Sequence, residues 1–239
     1  MNNFDKSYFV GKNMTAGYGG VDIIKMCSIE VCKGEIVVVV GPNGAGKSTA
    51  MKAMLGLLNL NNGFVKFNSK DITKLSPQDR VKLGIAFVPQ TKNVFTGMTV
   101  EENLEIGAFL REDNIRKNID EVYELFPILK EKRKQNVGEL SGGQRQQVAF
   151  GRAMMTKPTV LMLDEPTAGV SPIVMDELFQ RIIEVGKTGV AILMVEQNAK
   201  QALNIADRGY VLVNGENLIT GSGKELLNNS DVRKSFLGG

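Results

Sequence analysis

The 239-residue chain contains no histidine. That absence removes the side chain that ionises closest to neutral pH, so proton-transfer chemistry must fall to other groups. Only two cysteines occur, Cys27 and Cys32. With no second pair to complete a metal-ligand set, they read as free thiols of a reducing cytoplasm. No segment approaches the run of about 18 apolar residues that a membrane-spanning helix needs, and mean hydropathy is −0.07. Residues 1–6 (MNNFDK) lack the apolar stretch of a secretory signal. Charge of one sign is equally scarce. Lys and Arg number 29 against 26 Asp and Glu, and the resulting net charge of +3 is too slight to imply nucleic acid. Repeats and low-complexity linkers are missing too, so residues 1–239 read as one domain with a substantial core. The expectation is a cytoplasmic chain that borrows any membrane attachment from a partner.

What is present is concentrated in short segments with glycine, lysine and acids at telling intervals. Gly41-Pro42-Asn43-Gly44-Ala45-Gly46-Lys47-Ser48-Thr49 fits the pattern G-x-x-x-x-G-K-[ST]. It follows Ile36–Val40, a β-branched run that reads as a buried parallel strand, and precedes helical spacing over Thr49–Leu58. Glycines at these points let backbone amides approach phosphate oxygens. Lys47 is then placed for the β- and γ-phosphates, and the Ser48 hydroxyl for Mg²⁺. A second apolar strand, Thr159–Leu163, runs into Asp164 and Glu165. Acids there are costly unless they meet a cation or water. Asp164 is therefore a candidate magnesium ligand, either directly or through a bound water, and Glu165 a candidate for orienting or deprotonating a water. The third segment, Leu140–Gln144, opens a helix over Gly142–Thr156 with Ser141 as its N-cap. Gly142 and Gly143 leave N–H groups uncovered at the positive end of that helix, an arrangement suited to phosphate. Two phosphate-binding devices for one nucleotide make sense if two such domains face each other, each offering its second device to the other's ATP.

Together these segments resemble the ATP-binding subunits of ABC transporters, over essentially the whole chain. The resemblance implies an α/β fold: a P-loop NTPase with a RecA-like parallel sheet core, an antiparallel β subdomain and a helical insertion at about 91–150. It implies ATP and Mg²⁺ as cofactors. Gly41–Thr49 corresponds to the Walker A loop, Val160–Asp164 to the Walker B strand and Glu165 to the catalytic carboxylate. Ser141, Gly142, Gly143 and Gln144 fall in the signature motif. Gln90, after the strand Ile85–Val88, matches the glutamine that senses magnesium and the attacking water. Tyr18 matches the aromatic that stacks on adenine, although by itself it is an ordinary loop aromatic. Segments 194–198, 206–212 and 236–239 resemble more closely the ATPases of branched-chain amino acid importers, with urea importers as a competitor for the solute. The resemblance also implies a place on the inner face of the cell membrane. Its implied partners are a second, non-identical ATPase, permease subunits engaged through the Gln90 loop and, indirectly, a periplasmic or extracellular solute-binding protein.

Two departures stand out. Gln197 occupies the position where that family carries a histidine at the γ-phosphate, and glutamine can hydrogen-bond there but cannot ionise. The family's acid a few residues past the glutamate is also missing. The chain reads Thr167-Ala168-Gly169-Val170-Ser171-Pro172 instead, with Ser171 and Pro172 suited to begin the next helix. A degenerate, non-hydrolysing regulatory subunit is one reading of these changes, opposed by the intact Glu165. ABC ATPases of DNA repair share the motifs, but the interval between residues 50 and 140 is too short for their coiled coils and has no sustained heptads.

The remaining pattern predicts strands at Ser7–Ala16, Lys25–Val31 and Phe64–Asn68 in an antiparallel sheet. The parallel core takes Ile36–Val40, Ile85–Val88, Thr159–Leu163 and Val190–Val195. Thr99 and Glu102 form a capping box for a helix through about Arg111, and Ile115–Phe126 continues helically. Glu131–Gln135 reads as a charged, solvated connector. Asn214-Gly215 between two strand-like runs predicts a hairpin. After Gln90, Val94, Phe95 and Met98 are exposed candidates. They fit either a docking groove for a permease helix or simple packing of the insertion.

Overall fold

Two long antiparallel strands begin the described chain, residues 7–234 of a computed structural model: β1 (Ser7–Tyr18) and β2 (Val21–Cys32). Then come β3 (Ile36–Val40), α1 (Lys47–Leu55), β4 (Asn62–Phe67), β5 (Lys70–Asp71), α2 (Pro77–Lys82) and β6 (Ile85–Val88). A helical stretch carries α3 (Val100–Gly107), α4 (Arg116–Leu125), α5 (Pro127–Glu131) and α6 (Gly142–Met154). The chain continues through β7 (Val160–Asp164), α7 (Pro172–Lys187), β8 (Ala191–Val195), α8 (Ala199–Ile205), β9 (Arg208–Val213), β10 (Glu216–Gly221) and α9 (Gly223–Asn228).

Two sheets result. One has the order β2-β1-β4-β5 and the other β10-β9-β3-β8-β7-β6. In the larger sheet β9, β3, β8, β7 and β6 are parallel, and β10 closes one edge antiparallel to β9. Strands β3, β7 and β8 are buried at every residue, as a parallel strand covered on both faces must be. Side-chain alternation divides the apolar residues between two cores. Val38, Val40, Leu161, Leu163, Ile192 and Met194 face α6, α7 and α8. Val37, Val39, Val160, Met162, Leu193 and Val195 face α1 and the antiparallel sheet.

Most expected elements are present, with informative shifts. The strand before the acids spans Val160–Asp164, so Asp164 belongs to the ladder itself, paired with Val195. The hairpin forms at Asn214 and Gly215, and its first strand also runs parallel beside β3, a pairing that local pattern did not reveal. The helix from Thr99 has its capping box but ends at Gly107 rather than near Arg111. A Cβ on Gly107 would lie 2.3 Å from the Arg152 carbonyl, so the chain passes tightly against α6 there before turning away. Likewise the helix expected to reach Leu58 ends at Leu55, because Gly56 takes a left-handed φ of 83°. Ser171 does N-cap α7 and Pro172 is its first residue, but the hydroxyl makes no capping bond. Residues 132–135 are more than a solvated connector: the Arg133 and Gln135 carbonyls accept from the Glu101 and Val100 N–H groups. Segment 236–239 lies outside the described residues.

Candidate functional site

The loop after β3 is shaped by glycines that no other residue could replace. Gly41 has φ 151°, and a Cβ there would stand 2.1 Å from the Leu212 carbonyl oxygen of β9. Gly46 has φ 93°, and its Cβ would meet Ile24 at 2.8 Å. The β9–β10 turn supports the loop from outside: Gly215 N–H donates to the Ala45 carbonyl, and Lys25 N–H donates to that of Gly215. Gly46 also N-caps α1 without a side-chain acceptor. First-turn N–H groups of α1 thus lie at a loop suited to anions. A cavity of about 180 Å³ sits there, lined by Ile23, the loop from Asn43 to Thr49, and Glu165.

Charged groups converge on this cavity. Lys47 is buried, and its Nζ donates to the Gly41 and Pro42 carbonyls at 2.9 and 3.1 Å. Burial lowers its pKa, opposed by the carboxylates of Glu165, Asp164 and Glu196. The Ser48 hydroxyl donates to Asp164 Oδ1 at 2.8 Å. Burial raises the Asp164 pKa, against the Ser48 hydrogen bond and the charges of Lys52 and Lys47. A serine hydroxyl and one carboxylate in contact are the hard-oxygen donors that Mg²⁺ takes from a protein when phosphates supply the rest. Gln90 Nε2 donates to Glu165 Oε2 at 2.6 Å. Glu165 itself holds a left-handed φ of 48°, a strained conformation for a residue with a side chain.

The other expected site residues fall elsewhere. Tyr18 is about half exposed, with the Lys52 ammonium 6.0 Å from its ring centroid. Gln197 is exposed beyond the end of β8. Ser141 caps α6, accepting from Gln144 N–H at 3.2 Å, while its own N–H donates to Gln144 Oε1 at 3.1 Å. None of Ser141, Gly142, Gly143 and Gln144 lines the phosphate-loop cavity. They lie instead near the segment after Glu165: a Cβ on Gly142 would be 3.9 Å from the Gly169 carbonyl, and one on Gly143 only 2.5 Å from Val174 of α7.

Behind Gln90 opens a larger apolar groove of about 420 Å³, lined in part by Pro89, Phe95, Ile106, Phe109 and Arg152. Phe95 is half exposed, as expected, and its ring lies 5.1 Å from the Arg152 guanidinium carbon. Val94 and Met98 are half-buried rather than exposed, because Val94 packs on the main core and residues 96–98 are pinned to the turn Val137–Glu139. Asn103 of α3, which no sequence motif marks, is fully buried. Its amide accepts from Phe95 N–H and donates to the Phe95 and Thr99 carbonyls.

Residues 24–168 match the ABC transporter family. The chain belongs to that family. This cassette is 43% identical to the high-affinity branched-chain amino acid transport ATP-binding protein BraG of Pseudomonas aeruginosa, over 93% of this chain and 96% of that protein. Its identity to the probable branched-chain amino acid transport ATP-binding protein LivF of Archaeoglobus fulgidus is 42%, over 94% and 96% of the two chains. Among solved structures, it superposes on the ADP conformation of MJ1267, an ATP-binding cassette of an ABC transporter. The TM-score is 0.88 at 31% identity, covering 98% of this chain and 99% of the other. The protein is thus a nucleotide-binding P-loop ATPase whose hydrolysis of ATP powers a transporter. No helix among the described residues is long and apolar enough to cross a membrane. As the ATPase subunit of an ABC transporter, the cassette works with membrane permease components.

Proposed function

We propose that this cassette drives an importer for branched-chain or other hydrophobic amino acids from the cytoplasmic face of the cell membrane. Its likeness to BraG and LivF supports the solute class. One observation carries the mechanism: the Ser48–Asp164 and Gln90–Glu165 contacts lie beside the phosphate loop, while the Ser141 helix tip lies outside that cavity. Each device is incomplete alone, and two cassettes placed face to face complete both. The second cassette is a non-identical partner that carries the histidine this chain lacks.

In this reading Tyr18 stacks on adenine, a contact worth about 1–3 kcal/mol. The loop from Gly41 to Thr49 wraps the phosphates, and Lys47 exchanges its two carbonyl contacts for β- and γ-phosphate oxygens. Ser48 and Asp164, with Gln90, would hold Mg²⁺, and the ion would supply positive charge against the phosphate oxygens. Glu165 orients the attacking water and accepts its proton, and Gln197 hydrogen-bonds the γ-phosphate without ionising. Ser141, Gly142, Gly143 and Gln144 grip the γ-phosphate bound to the partner. Water attacks in line, the γ-phosphoryl bond breaks and the bridge between cassettes is lost. The helical insertion at about 91–150 and the groove behind Gln90 transmit that opening to the permease subunits. A solute-binding protein on the outer side is engaged only through them, and nucleic acid has no part in the cycle.

The test is ATP turnover by the chain assembled with its partners. Lys47→Ala is expected to abolish nucleotide binding. Glu165→Gln should keep binding, lower turnover by at least about 100-fold and trap an ATP-bound dimer. Turnover at the wild-type rate in Glu165→Gln, or an ATP-trapped form that stays monomeric, defeats the reading. Uptake of labelled leucine against labelled urea in cells lacking the chain tests the solute class.

A further inference from the structure

Glu196 is 1% exposed, immediately past the buried strand β8, and the mechanism above gives it no task. A carboxylate in that position is costly unless its oxygens are fully engaged. They are. Oε1 accepts from Thr167 N–H at 3.0 Å and from the Thr167 hydroxyl at 2.8 Å, and Oε2 accepts from Gln197 N–H at 3.2 Å. Asn198 Nδ2 adds a bond to the Thr167 hydroxyl oxygen at 3.3 Å. One carboxyl group therefore joins the segment that follows Glu165 to the segment that begins with Gln197.

The join bears on Glu165 itself. A left-handed φ at a residue with a side chain persists only where its surroundings over-determine it. Glu165 N–H donates to the Val195 carbonyl at 2.9 Å, and the Glu165 carbonyl accepts from Ala168 N–H at 3.1 Å. Glu196 follows Val195 directly and holds Thr167, two positions beyond Glu165. The end of β8 thus anchors the turn on both sides of Glu165. Burial raises the Glu196 pKa, and the hydrogen bonds from Thr167, Asn198 and Gln197 oppose that shift, as donors aimed at an anion do.

We infer that Glu196 is a positioning residue for hydrolysis: its carboxylate locks Thr167 and Gln197 into one register and thereby fixes where the Glu165 side chain stands. The inference rests on the roles given above to Glu165 and Gln197. Glu196→Gln keeps the shape but turns one acceptor into a donor facing donors. Thr167→Val keeps the volume and removes the hydroxyl, and Thr167→Ser restores it.

The experiment measures kcat and KM for ATP in the chain assembled with its partners, alongside nucleotide affinity and thermal midpoint. Glu196→Gln is expected to lower kcat by about 10- to 100-fold, the scale of an ångström's misplacement, with KM and affinity within about twofold. Thr167→Val should give a similar loss, Thr167→Ser should recover most of it, and the double variant should be no worse than the weaker single. If Glu196→Gln fails to fold, Thr167→Val reads the same contact. A kcat within about twofold of wild type in both variants overturns the inference. So does a loss that tracks nucleotide affinity, or losses that multiply in the double variant. A Glu165→Gln control separates the two levels. Its expected inactivity beside fully active Glu196 variants removes only the positioning role, whereas full activity in Glu165→Gln removes the reading beneath it as well.

Discussion

Removing the Arg80 guanidinium should loosen the helix that leads out of the phosphate loop. Arg80 is 1% exposed and donates to four carbonyls: Met54 at 2.6 Å, Thr73 at 2.8 Å, Leu75 at 3.1 Å and Ala53 at 3.3 Å. Two of these belong to the last turn of α1, where carbonyls have no partner within the helix. Burial pushes the Arg80 pKa down to about 10, which leaves it charged at neutral pH. In Arg80→Met the apolar stem is largely retained while every donor is lost. The Ala53 carbonyl keeps its bond from Gly56 N–H, and water can reach the less buried Thr73 and Leu75 carbonyls. The Met54 carbonyl bears the main penalty, about 1–3 kcal/mol for a buried group left unsatisfied. Loss of charge-assisted bonds to the others, offset by no longer burying a cation, brings the expectation to about 3 kcal/mol. For a chain of this size that corresponds to a fall of about 6–12 °C in thermal midpoint. Arg80→Lys should recover less than half, because one ammonium cannot reach carbonyls spread around the edge of a guanidinium. Calorimetry on the nucleotide-free protein measures the shift. A fall below about 2 °C in Arg80→Met would refute the reasoning, since it would mean the α1 carbonyls find other donors at no cost.

Two further predictions concern the interfaces. Gly143→Ala should force Val174 aside and tilt the Ser141 helix tip, reducing turnover at the composite site by about tenfold while nucleotide binding by the isolated chain stays unchanged. Val174→Ala in the same chain should restore it, and failure of that rescue would show that the clash is not the cause. Phe95→Ala should leave basal ATP turnover intact and abolish transport, because Asn103 holds the Phe95 backbone while the ring faces the groove. Loss of both activities would return the ring to a packing role.

The parts of the fold legible in the sequence are those set by neighbours along the chain. Val37–Val40 running into glycines, the capping box at Thr99 and the hairpin turn at Asn214 and Gly215 each follow from local chemistry, and each is present. What escaped depends on distant partners. β9 beside β3 is a pairing of remote segments, and the early end of α3 reflects contact with the Arg152 backbone. Arg80, Asn103 and Glu196 are polar residues of the kind that usually line a surface, and nothing in their immediate sequence marks them as buried. Their burial becomes evident only when the carbonyls and N–H groups that need them are in place. At the candidate site the contacts of Ser48 with Asp164 and of Gln90 with Glu165 matched residues singled out by pattern. The N-cap at Ser141, closed by its reciprocal bond with Gln144, likewise falls on residues named from the pattern, whereas the link from Glu196 to Thr167 does not.

Strand order has a consequence for how the molecule is made. β3 is synthesised early, yet its two flanking strands come late: Ile36 stands opposite Ile192, and Val37 opposite Arg208. Until those later stretches leave the ribosome, the ribbon that ends at the nucleotide cradle has both edges bare. Contacts so far apart in sequence form slowly, and a partly made chain lacks the Gly215 N–H that holds the Ala45 carbonyl of the phosphate loop. A cradle made early in synthesis is thus braced only when the last strands have docked.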